Sequence, residues 1–173
     1  KIPLSAKKEF ENFGYLQEAS IPSYYNGKED CVFMCKYLRP DNEINHSSEV
    51  QDIISAVKNK SNNQVLLELS PEFDLRILKK DDAATMSALY KIVFETYPFP
   101  IFDPTYLTKT MDENIIYFGI FKGSELVGVS SCETDSKYMN CEMTDFAILP
   151  KYRGNNYSLI LLKAMESKMI ELN

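Results

Sequence analysis

The sequence predicts an α+β fold, an α/β/α sandwich in which helices flank a mixed, mostly antiparallel sheet. Three consecutive segments, residues 115–121, 126–133 and 138–149, are typical of strands and are separated by short polar turns. Helical patterns of apolar residues precede and follow them, over residues 82–97 and after Gly154. Strands joined by such short turns pair antiparallel, and the flanking helices then cover the sheet.

The chain before residue 61 is expected to form a unit of its own. Its elements are a helix, the two strands of a hairpin and a weaker helix, over residues 4–13, 15–25, 30–38 and 47–59. Gly14 ends the first helix, and the turn Asn26-Gly27-Lys28-Glu29 joins the strands, because Asn-Gly suits a tight hairpin turn. We therefore expect an N-terminal segment over residues 1–60.

A second unit is expected over residues 74–173, after a linker at residues 61–73 that contains Ser70-Pro71. Leu75 to Leu78 predicts a short strand. Asp81 or Asp82 is expected to cap the helix that runs to about Tyr97, and Pro98 ends it. A further short helix is predicted from Asp103-Pro104, since proline suits the first helical position.

Composition and charge exclude several classes of function. The formal net charge of −6 argues against nucleic acid, which requires clustered Lys and Arg, and suits a cationic partner. The longest apolar runs, such as Leu159 to Leu162, are too short to span a bilayer, and no secretory signal opens the chain. We therefore expect a cytoplasmic protein that binds no membrane.

The cysteines and the single histidine do not predict a metal site or a nucleophile. Cys31 and Cys35 lie in an apolar strand segment, where buried, reduced thiols are expected. Two further cysteines, Cys132 and Cys141, lie far from them in sequence, and His46 lies in a polar stretch. A zinc site would need four ligands at suitable spacing, so no metal is expected.

The residues after the last strand predict an anion site. The strand ends at Leu149-Pro150, a polar loop with Arg153 and Gly154 follows, and an apolar helix begins after it. The N–H groups at a helix start are unsatisfied, and together with the helix dipole they attract phosphate groups. Small loop residues let the backbone approach the phosphates, and Arg153 adds a positive charge.

This loop resembles the signature of the GNAT-type N-acetyltransferases, Arg/Gln-x-x-Gly-x-Gly/Ala. Arg153 matches its first position, whereas Asn156 and Ser158 stand at the two small positions, and Asn tolerates a left-handed backbone. The order of elements over residues 74–170 also matches the first half of that fold. The resemblance implies that acetyl-CoA is bound by Arg153, Gly154, Asn155, Asn156, Tyr157 and Ser158.

The same resemblance implies catalytic roles on the preceding strand. In the family a glutamate in the position of Glu142 acts as general base, because an ammonium with a pKa near ~10.4 must lose a proton before it attacks a thioester. Asp145 is expected to share that role or to hold the substrate's cationic end, brought beside Glu142 by a β-bulge. Backbone groups of Phe146, Ala147 and Ile148 would contact the pantetheine arm, with the Ile148 N–H facing the thioester oxygen.

A closer resemblance is to one branch of the family, the β-lysine N6-acetyltransferases. It rests on Glu142 to Ala147, on Leu149 to Gly154, and on N-terminal stretches such as Tyr24-Tyr25-Asn26-Gly27. It implies acetylation of a primary amine of a small diamino acid. Acetylation of another amine or of a protein lysine, and a non-catalytic module that binds CoA, remain the alternatives.

The resemblance also bears on the organisation of the chain. The N-terminal segment resembles the second half of a GNAT unit, and residues 74–173 resemble the first half. We expect the fold to be incomplete at its C-terminus, and to lack the family's general-acid tyrosine, unless residues 1–38 replace the missing half. A homodimer is left open.

Overall fold

The computed structural model describes residues 1–38, 48–59 and 68–172. The chain divides into two compact units, Lys1–Leu66 and Leu67–Asn173. His46 and residues 61–67 of the expected linker lie outside the described residues. In the part of the chain that is described, no helix combines the length and the apolar character needed to cross a membrane.

The first unit contains a small antiparallel sheet. Its elements are β1 (Ile2–Pro3), a 3-10 turn (Leu4–Ala6), α1 (Lys7–Asn12), β2 (Leu16–Tyr25), β3 (Glu29–Cys35) and α2 (Ser48–Lys58). The strand order is β1-β3-β2, so the predicted hairpin is confirmed. Asn26 and Gly27 have φ of 54° and 64°, as a tight hairpin turn requires.

Strand β3 ends at Cys35, three residues earlier than predicted. Leu16 opens β2 and is the register partner of Cys35, so the ladder offers no partner to later residues. Cys31 is fully buried in β3 and Cys35 is half-buried. All four cysteines of the chain are free thiols.

The second unit contains the predicted meander, which is confirmed. Its elements are β4 (Phe73–Ile77), a 3-10 turn (Lys80–Asp82), α3 (Ala83–Val93), α4 (Pro104–Glu113), β5 (Ile115–Lys122), β6 (Glu125–Asp135), β7 (Asn140–Ile148), a second 3-10 turn (Pro150–Tyr152) and α5 (Tyr157–Leu172). The sheet order is β4-β5-β6-β7, and all three pairings are antiparallel.

Helices cover both faces of this sheet. On one face, Met86 and Tyr90 of α3 and Leu107 of α4 pack against sheet residues that include Tyr117 and Val129. On the other face, α5 packs through Leu161 and Met165 on a second apolar cluster, formed by Phe118, Ile120, Val127 and Cys132. Alternate residues of each strand supply the two clusters, and each fully buried large side chain contributes about 1.5–3 kcal/mol.

Helix α3 differs from the prediction at both ends. It stops at Val93 rather than Tyr97, because Phe94 is already extended, with φ −109° and ψ 126°. The carboxylate of Asp82 does not cap α3. It accepts the Lys79 N–H at 2.7 Å and forms an ion pair with Arg76 at 2.7 Å, which fixes the preceding 3-10 turn. The early end of α3 leaves Tyr97 outside the helix, in an irregular segment.

Candidate functional site

The loop between β7 and α5 ends in an open helix N-terminus. Gly154 and Asn156 both have left-handed backbones, with φ of 85° and 60°, which turn the chain into the helix. The first helical hydrogen bond runs from the Ile160 N–H to the Asn156 carbonyl at 3.0 Å. The N–H groups of residues 157–159 therefore precede the helical ladder and point out of its end, where an anion is favoured.

Side chains on both sides hold this loop in place. The Tyr152 hydroxyl donates to Glu125 at 2.8 Å, and Lys151 forms an ion pair with the same carboxylate at 2.8 Å. The Asn155 amide donates to the Tyr152 carbonyl at 3.0 Å. Because Glu125 opens β6, these contacts tie the loop to the rigid sheet, and the helix start keeps its position.

Strand β7 presents backbone groups along its outer edge. It is the last strand of the four-stranded sheet. The Leu149 N–H donates to the Val127 carbonyl at 2.9 Å, and backbone groups alternate in direction along a strand, so the Ile148 N–H points away from β6. The Ile148 carbonyl points the same way and accepts the Arg153 Nε–H at 3.2 Å. A ligand at this edge would meet backbone donors and acceptors in one row.

A β-bulge interrupts β7 at Asp145. Ala147 pairs with Val129 and Thr144 pairs with Ser131, so β7 carries one more residue than β6 between these two pairs. Asp145 has φ 57°, which is the left-handed backbone that such a residue needs. The predicted bulge is therefore present, and the side chains of Glu142, Thr144 and Asp145 line the same cleft.

Three hydroxyl groups hold the Asp145 carboxylate. The Ser131 hydroxyl donates to it at 2.8 Å, the Thr144 hydroxyl at 3.3 Å, and the Tyr97 hydroxyl makes a third contact. Tyr97 reaches Asp145 because α3 ends four residues earlier than its pattern predicts. The carboxylate is thus fixed by neutral donors, which orient it without neutralising its charge.

The cleft above Asp145 has a volume of about 220 Å³ and combines acidic with aromatic walls. Its lining residues are Tyr97, Phe99, Ile101, Tyr106, Thr110, Glu113, Asn114, Ile115, Tyr117, Glu133, Glu142, Thr144 and Asp145. Four of these are carboxylates, and none of the described lining residues is Lys, Arg or His. No three of the described acidic, cysteine or histidine side chains are arranged to hold a metal ion.

The tyrosine hydroxyls of the cleft remain protonated. Burial, and then the hydrogen bond and charge of Asp145, raise the pKa of Tyr97 to about 12. Burial also raises the pKa of Tyr117 to about 12. The pKa of Tyr106 is raised by burial and then by the charges of Asp145, Glu133 and Glu113. Tyr106 and these three carboxylates all line the same cleft.

Comparison with known proteins agrees with this geometry. The model of the acetyltransferase (GNAT) family matches residues 86–173, just over half of the chain. The chain belongs to the GNAT acetyltransferase family. The matched region runs from Met86 of α3 to the end of the chain, and so includes the cleft, the β7 edge and the helix start.

The GNAT chain is also similar to curated relatives over nearly its whole length. It is 39% identical to the β-lysine N(6)-acetyltransferase of Methanococcus maripaludis, covering 98% of the chain and 61% of the relative. It is 36% identical to N-acetyltransferase YodP of Bacillus subtilis, covering 96% and 58%. A β-lysine N(6)-acetyltransferase of Methanosarcina mazei is 32% identical, covering 98% and 70%. The chain thus spans about three fifths of the length of the first two.

A solved structure supports the fold assignment. The crystal structure of an aminoglycoside acetyltransferase from an uncultured soil metagenomic sample superposes with a TM-score of 0.51 at 20% identity. The match covers 60% of this chain and 74% of that one. The similarity shows that the GNAT chain has the GNAT fold.

The structure brings the sequence-predicted residues into two neighbouring groups. Arg153 to Ser158 surround the start of α5, and all but half-buried Tyr157 are exposed. Phe146, Ala147 and Ile148 form the edge of β7. Their side chains are at least partly buried in the two cores, so only their backbone groups are available to a ligand. Glu142 is exposed and Asp145 half-buried, and both line the cleft.

These groups fit acetyl-CoA, the acetyl donor of GNAT enzymes. A Cβ added at Gly154 would meet nothing within 4 Å, so the backbone of the loop is open to approach. Asn156 has a left-handed backbone although it replaces the family's glycine. The helix start suits a pyrophosphate, and the outer edge of β7 suits an amide-containing arm.

Sequence reasoning missed most of the cleft. Glu133 is the direct register partner of Glu142, which the predicted hairpin of β6 and β7 could have indicated. Tyr97 was expected inside a helix, and Tyr106 and Tyr117 are ordinary core residues by pattern. That all three line one cleft with Asp145 depends on the tertiary packing of α3 and α4 on the sheet.

Proposed function

We propose that this chain carries the acetyl-CoA site and the amine site of an N-acetyltransferase that acts on a small diamino acid, with the N6 amine of β-lysine as acceptor. The observation that carries the proposal is an acidic, aromatic cleft beside a strand edge and helix start that suit acetyl-CoA. Two relatives named β-lysine N(6)-acetyltransferase, at 39% and 32% identity, support the choice of acceptor.

Acetyl-CoA supplies the acetyl thioester. We assign its pyrophosphate to the N–H groups of Gly154, Asn155, Asn156, Tyr157 and Ser158, with the Arg153 guanidinium beside them. The backbone of Phe146, Ala147 and Ile148 pairs with the pantetheine arm. The outward Ile148 N–H then faces the thioester oxygen, where it stabilises the negative charge that develops during attack.

Glu142 and Asp145 act on the amine. Asp145, fixed by Tyr97, Ser131 and Thr144, holds the ammonium group in the cleft. Glu142 takes the proton that the ammonium must lose, directly or through water. The amine nitrogen then forms a bond to the acetyl carbon and loses a second proton. The carbon–sulfur bond breaks, the departing thiolate takes up a proton, and CoA leaves as its thiol.

The wider organisation is proposed on the sequence resemblance. The N-terminal segment, residues 1–60, corresponds to the second half of a GNAT unit, and residues 74–173 correspond to the first half. A cytoplasmic location suits a protein that uses acetyl-CoA. Sedimentation analysis of the complete protein would distinguish a monomer from the homodimer that the sequence leaves open.

Two measurements on the complete protein test the function. Isothermal titration should detect acetyl-CoA binding, and a thiol-release assay should detect turnover with β-lysine. Lysine and a lysine-containing peptide serve as competing acceptors. Binding of acetyl-CoA without thiol release from any amine would identify a non-catalytic module. Faster turnover with the peptide than with β-lysine would identify a protein acetyltransferase.

A further inference from the structure

The register of β6 and β7 places one residue of β6, Ser130, opposite two residues of β7, Asp145 and Phe146. A bulge of this kind disrupts the hydrogen-bond ladder locally. Backbone groups that lose their ladder partners need other ones, because an unsatisfied buried carbonyl destabilises the fold. The residues of β6 at the bulge are therefore expected to supply additional donors.

Two buried serines supply hydroxyl donors at this point. The Ser130 hydroxyl donates to the Thr144 carbonyl at 2.8 Å. The Ser131 hydroxyl lies 3.4 Å from the same carbonyl and 2.8 Å from the Asp145 carboxylate. Both serines have no exposed surface. Because a hydroxyl has one proton to donate, the shorter contacts indicate a division of roles: Ser130 bonds to the backbone of the bulge, and Ser131 bonds to its carboxylate.

The two serines lie on opposite faces of the sheet. Ser130 is the register partner of Phe118, which belongs to the apolar cluster that packs against α5. Ser131 is the register partner of Tyr117, which lines the cleft. Directly opposed residues share a face, so Ser130 extends from the face away from the cleft. Since Ser130 is also fully buried, it can influence a bound substrate only through the backbone of β7.

We propose that Ser130 is a positioning residue for both substrates of the reaction, because its hydrogen bond to the Thr144 carbonyl holds the bulge in place. This inference rests on the proposed acetyltransferase function. The bulge turns the carboxylate of Asp145 into the cleft, through its left-handed backbone. It also sets which backbone groups of Ile148 point outward, because a slip of one residue exchanges the two faces and the two edges of a strand.

Ser131 has a narrower role, which is to orient the Asp145 carboxylate. Ser131→Ala should raise KM for the amine, because one of the donors to Asp145 is lost. It should leave the dissociation constant of acetyl-CoA unchanged, since the Thr144 carbonyl keeps its shorter bond to Ser130. The two serines therefore differ in the expected effect on acetyl-CoA, although they are neighbours in sequence.

Ser130→Ala tests the proposal in the complete protein. Loss of a buried hydrogen-bond partner changes an equilibrium by a factor of about 5 to 150. Hydrogen exchange of the amides over residues 144–149 should become faster than in the rest of the sheet by that factor, because exchange reports local opening. In isothermal titration and thiol-release assays, the dissociation constant of acetyl-CoA and the KM of the amine should both rise, each by about fivefold or more.

Two further variants separate the hydrogen bond from general effects on packing. Ser87→Ala removes another buried hydroxyl, which donates to the Phe102 carbonyl at 2.6 Å. It should leave the acetyl-CoA dissociation constant unchanged and should not accelerate exchange selectively over residues 144–149. Ser130→Cys keeps a side chain of similar size but with a weaker donor, so it should change both constants in the same direction as Ser130→Ala.

Several results would overturn the inference and leave the proposed function intact. They are an unchanged acetyl-CoA affinity in Ser130→Ala, exchange over residues 144–149 like that of the unaltered protein, or wild-type constants in Ser130→Cys. A different result would reject the acetyltransferase function itself: acetyl-CoA binds to the unaltered protein, but no amine releases thiol. In that case the exchange and titration measurements on Ser130→Ala would still confirm or overturn the role of Ser130 in holding the bulge.

Discussion

Replacing Asp145 by asparagine should remove the charge that we propose holds the amine, while preserving the fold. Asp145 has φ 57°, and asparagine is one of the few residues that tolerate this backbone. The three hydroxyls around the side chain can rotate to donate or accept, so they can pair with an amide as well. We expect the free energy of unfolding to fall by about 1 kcal/mol or less, the worth of one neutral hydrogen bond.

The substitution should weaken the recognition of the amine substrate. A hydrogen bond to a charged group contributes about 1.5–3 kcal/mol, and each 1.36 kcal/mol is a factor of ten. Asp145→Asn should therefore lower kcat/KM for the amine by about 10- to 150-fold, chiefly through KM. The dissociation constant of acetyl-CoA should be unchanged, because the helix start and the outer edge of β7 do not include the Asp145 side chain.

Steady-state thiol release over a range of amine concentrations measures the first quantity, and isothermal titration with acetyl-CoA measures the second. Asp112→Asn makes the same substitution on α4 outside the cleft, where Asp112 pairs with Lys80, and serves as the control. The assignment of Asp145 is wrong if the amine dependence of the two variants is the same. It is also wrong if acetyl-CoA and amine binding weaken together.

Four further predictions concern other parts of the molecule. Glu142→Gln should lower kcat by ~10²–10⁴-fold and remove the acidic limb of the kcat/KM profile against pH, if Glu142 is the base. Arg153→Ala should weaken acetyl-CoA binding at least about tenfold in a titration, with an unchanged melting temperature because Arg153 is exposed. Gly119→Ala should lower the free energy of unfolding by about 1–3 kcal/mol in a denaturant titration, since the new Cβ would lie 2.5 Å from Leu78 Cδ2. Burial raises the pKa of the Cys132 thiol to about 12, so thiol reagents should not label Cys132 at pH 8 in the folded protein.

Each of these four predictions has an outcome that would contradict it. A persistent acidic limb with a higher amine KM would make Glu142 a binding residue. If the Arg153→Ala variant keeps its affinity for acetyl-CoA, Arg153 does not belong to the anion site. If the unfolding curve of the Gly119→Ala variant is unchanged, the Leu78 side chain moves aside for the extra methyl group. Because folding raises the Cys132 pKa, its contribution to stability is present below pH 9 and is lost as the pH rises through about 12. Rapid labelling at pH 8 would contradict the burial.

The fold was predictable where local signals agree with each other. Asn26-Gly27, Asp103-Pro104 and the short turns of the meander determine their conformations within a few residues, and the structure has an element at each predicted place. The end of α3 was not predictable in this way. Residues 94–97 keep helical spacing in the sequence, but the chain leaves the helix after Val93, and the Tyr97 hydroxyl then bonds to Asp145 of β7. Tertiary contacts override local propensity there.

The candidate site divides along the same line. The loop from Arg153 to Ser158 is local in sequence, so its residues predict both the helix start and the left-handed backbone of Asn156. The acidic cleft is non-local, because its carboxylates come from α4, β6 and β7 and meet only after the sheet forms. Glu133 carries no signal in the sequence until its register with Glu142 is known. Two carboxylates that look like solvated strand residues then line one cleft.

The bulge at Asp145 is the feature that joins the two halves of the site. In a regular strand, residues 142, 144, 146 and 148 would share a face, and Phe146 would occupy the cleft. One extra residue reverses this alternation, so Ala147 faces α3 whereas Phe146 and Ile148 pack towards α5. Asp145 is the extra residue, and its left-handed backbone turns its carboxylate into the cleft. The same shift leaves the Ile148 N–H pointing away from β6, at the edge where a thioester would lie. One inserted residue therefore determines both the position of the charge that would meet the amine and the backbone that would meet the acetyl donor.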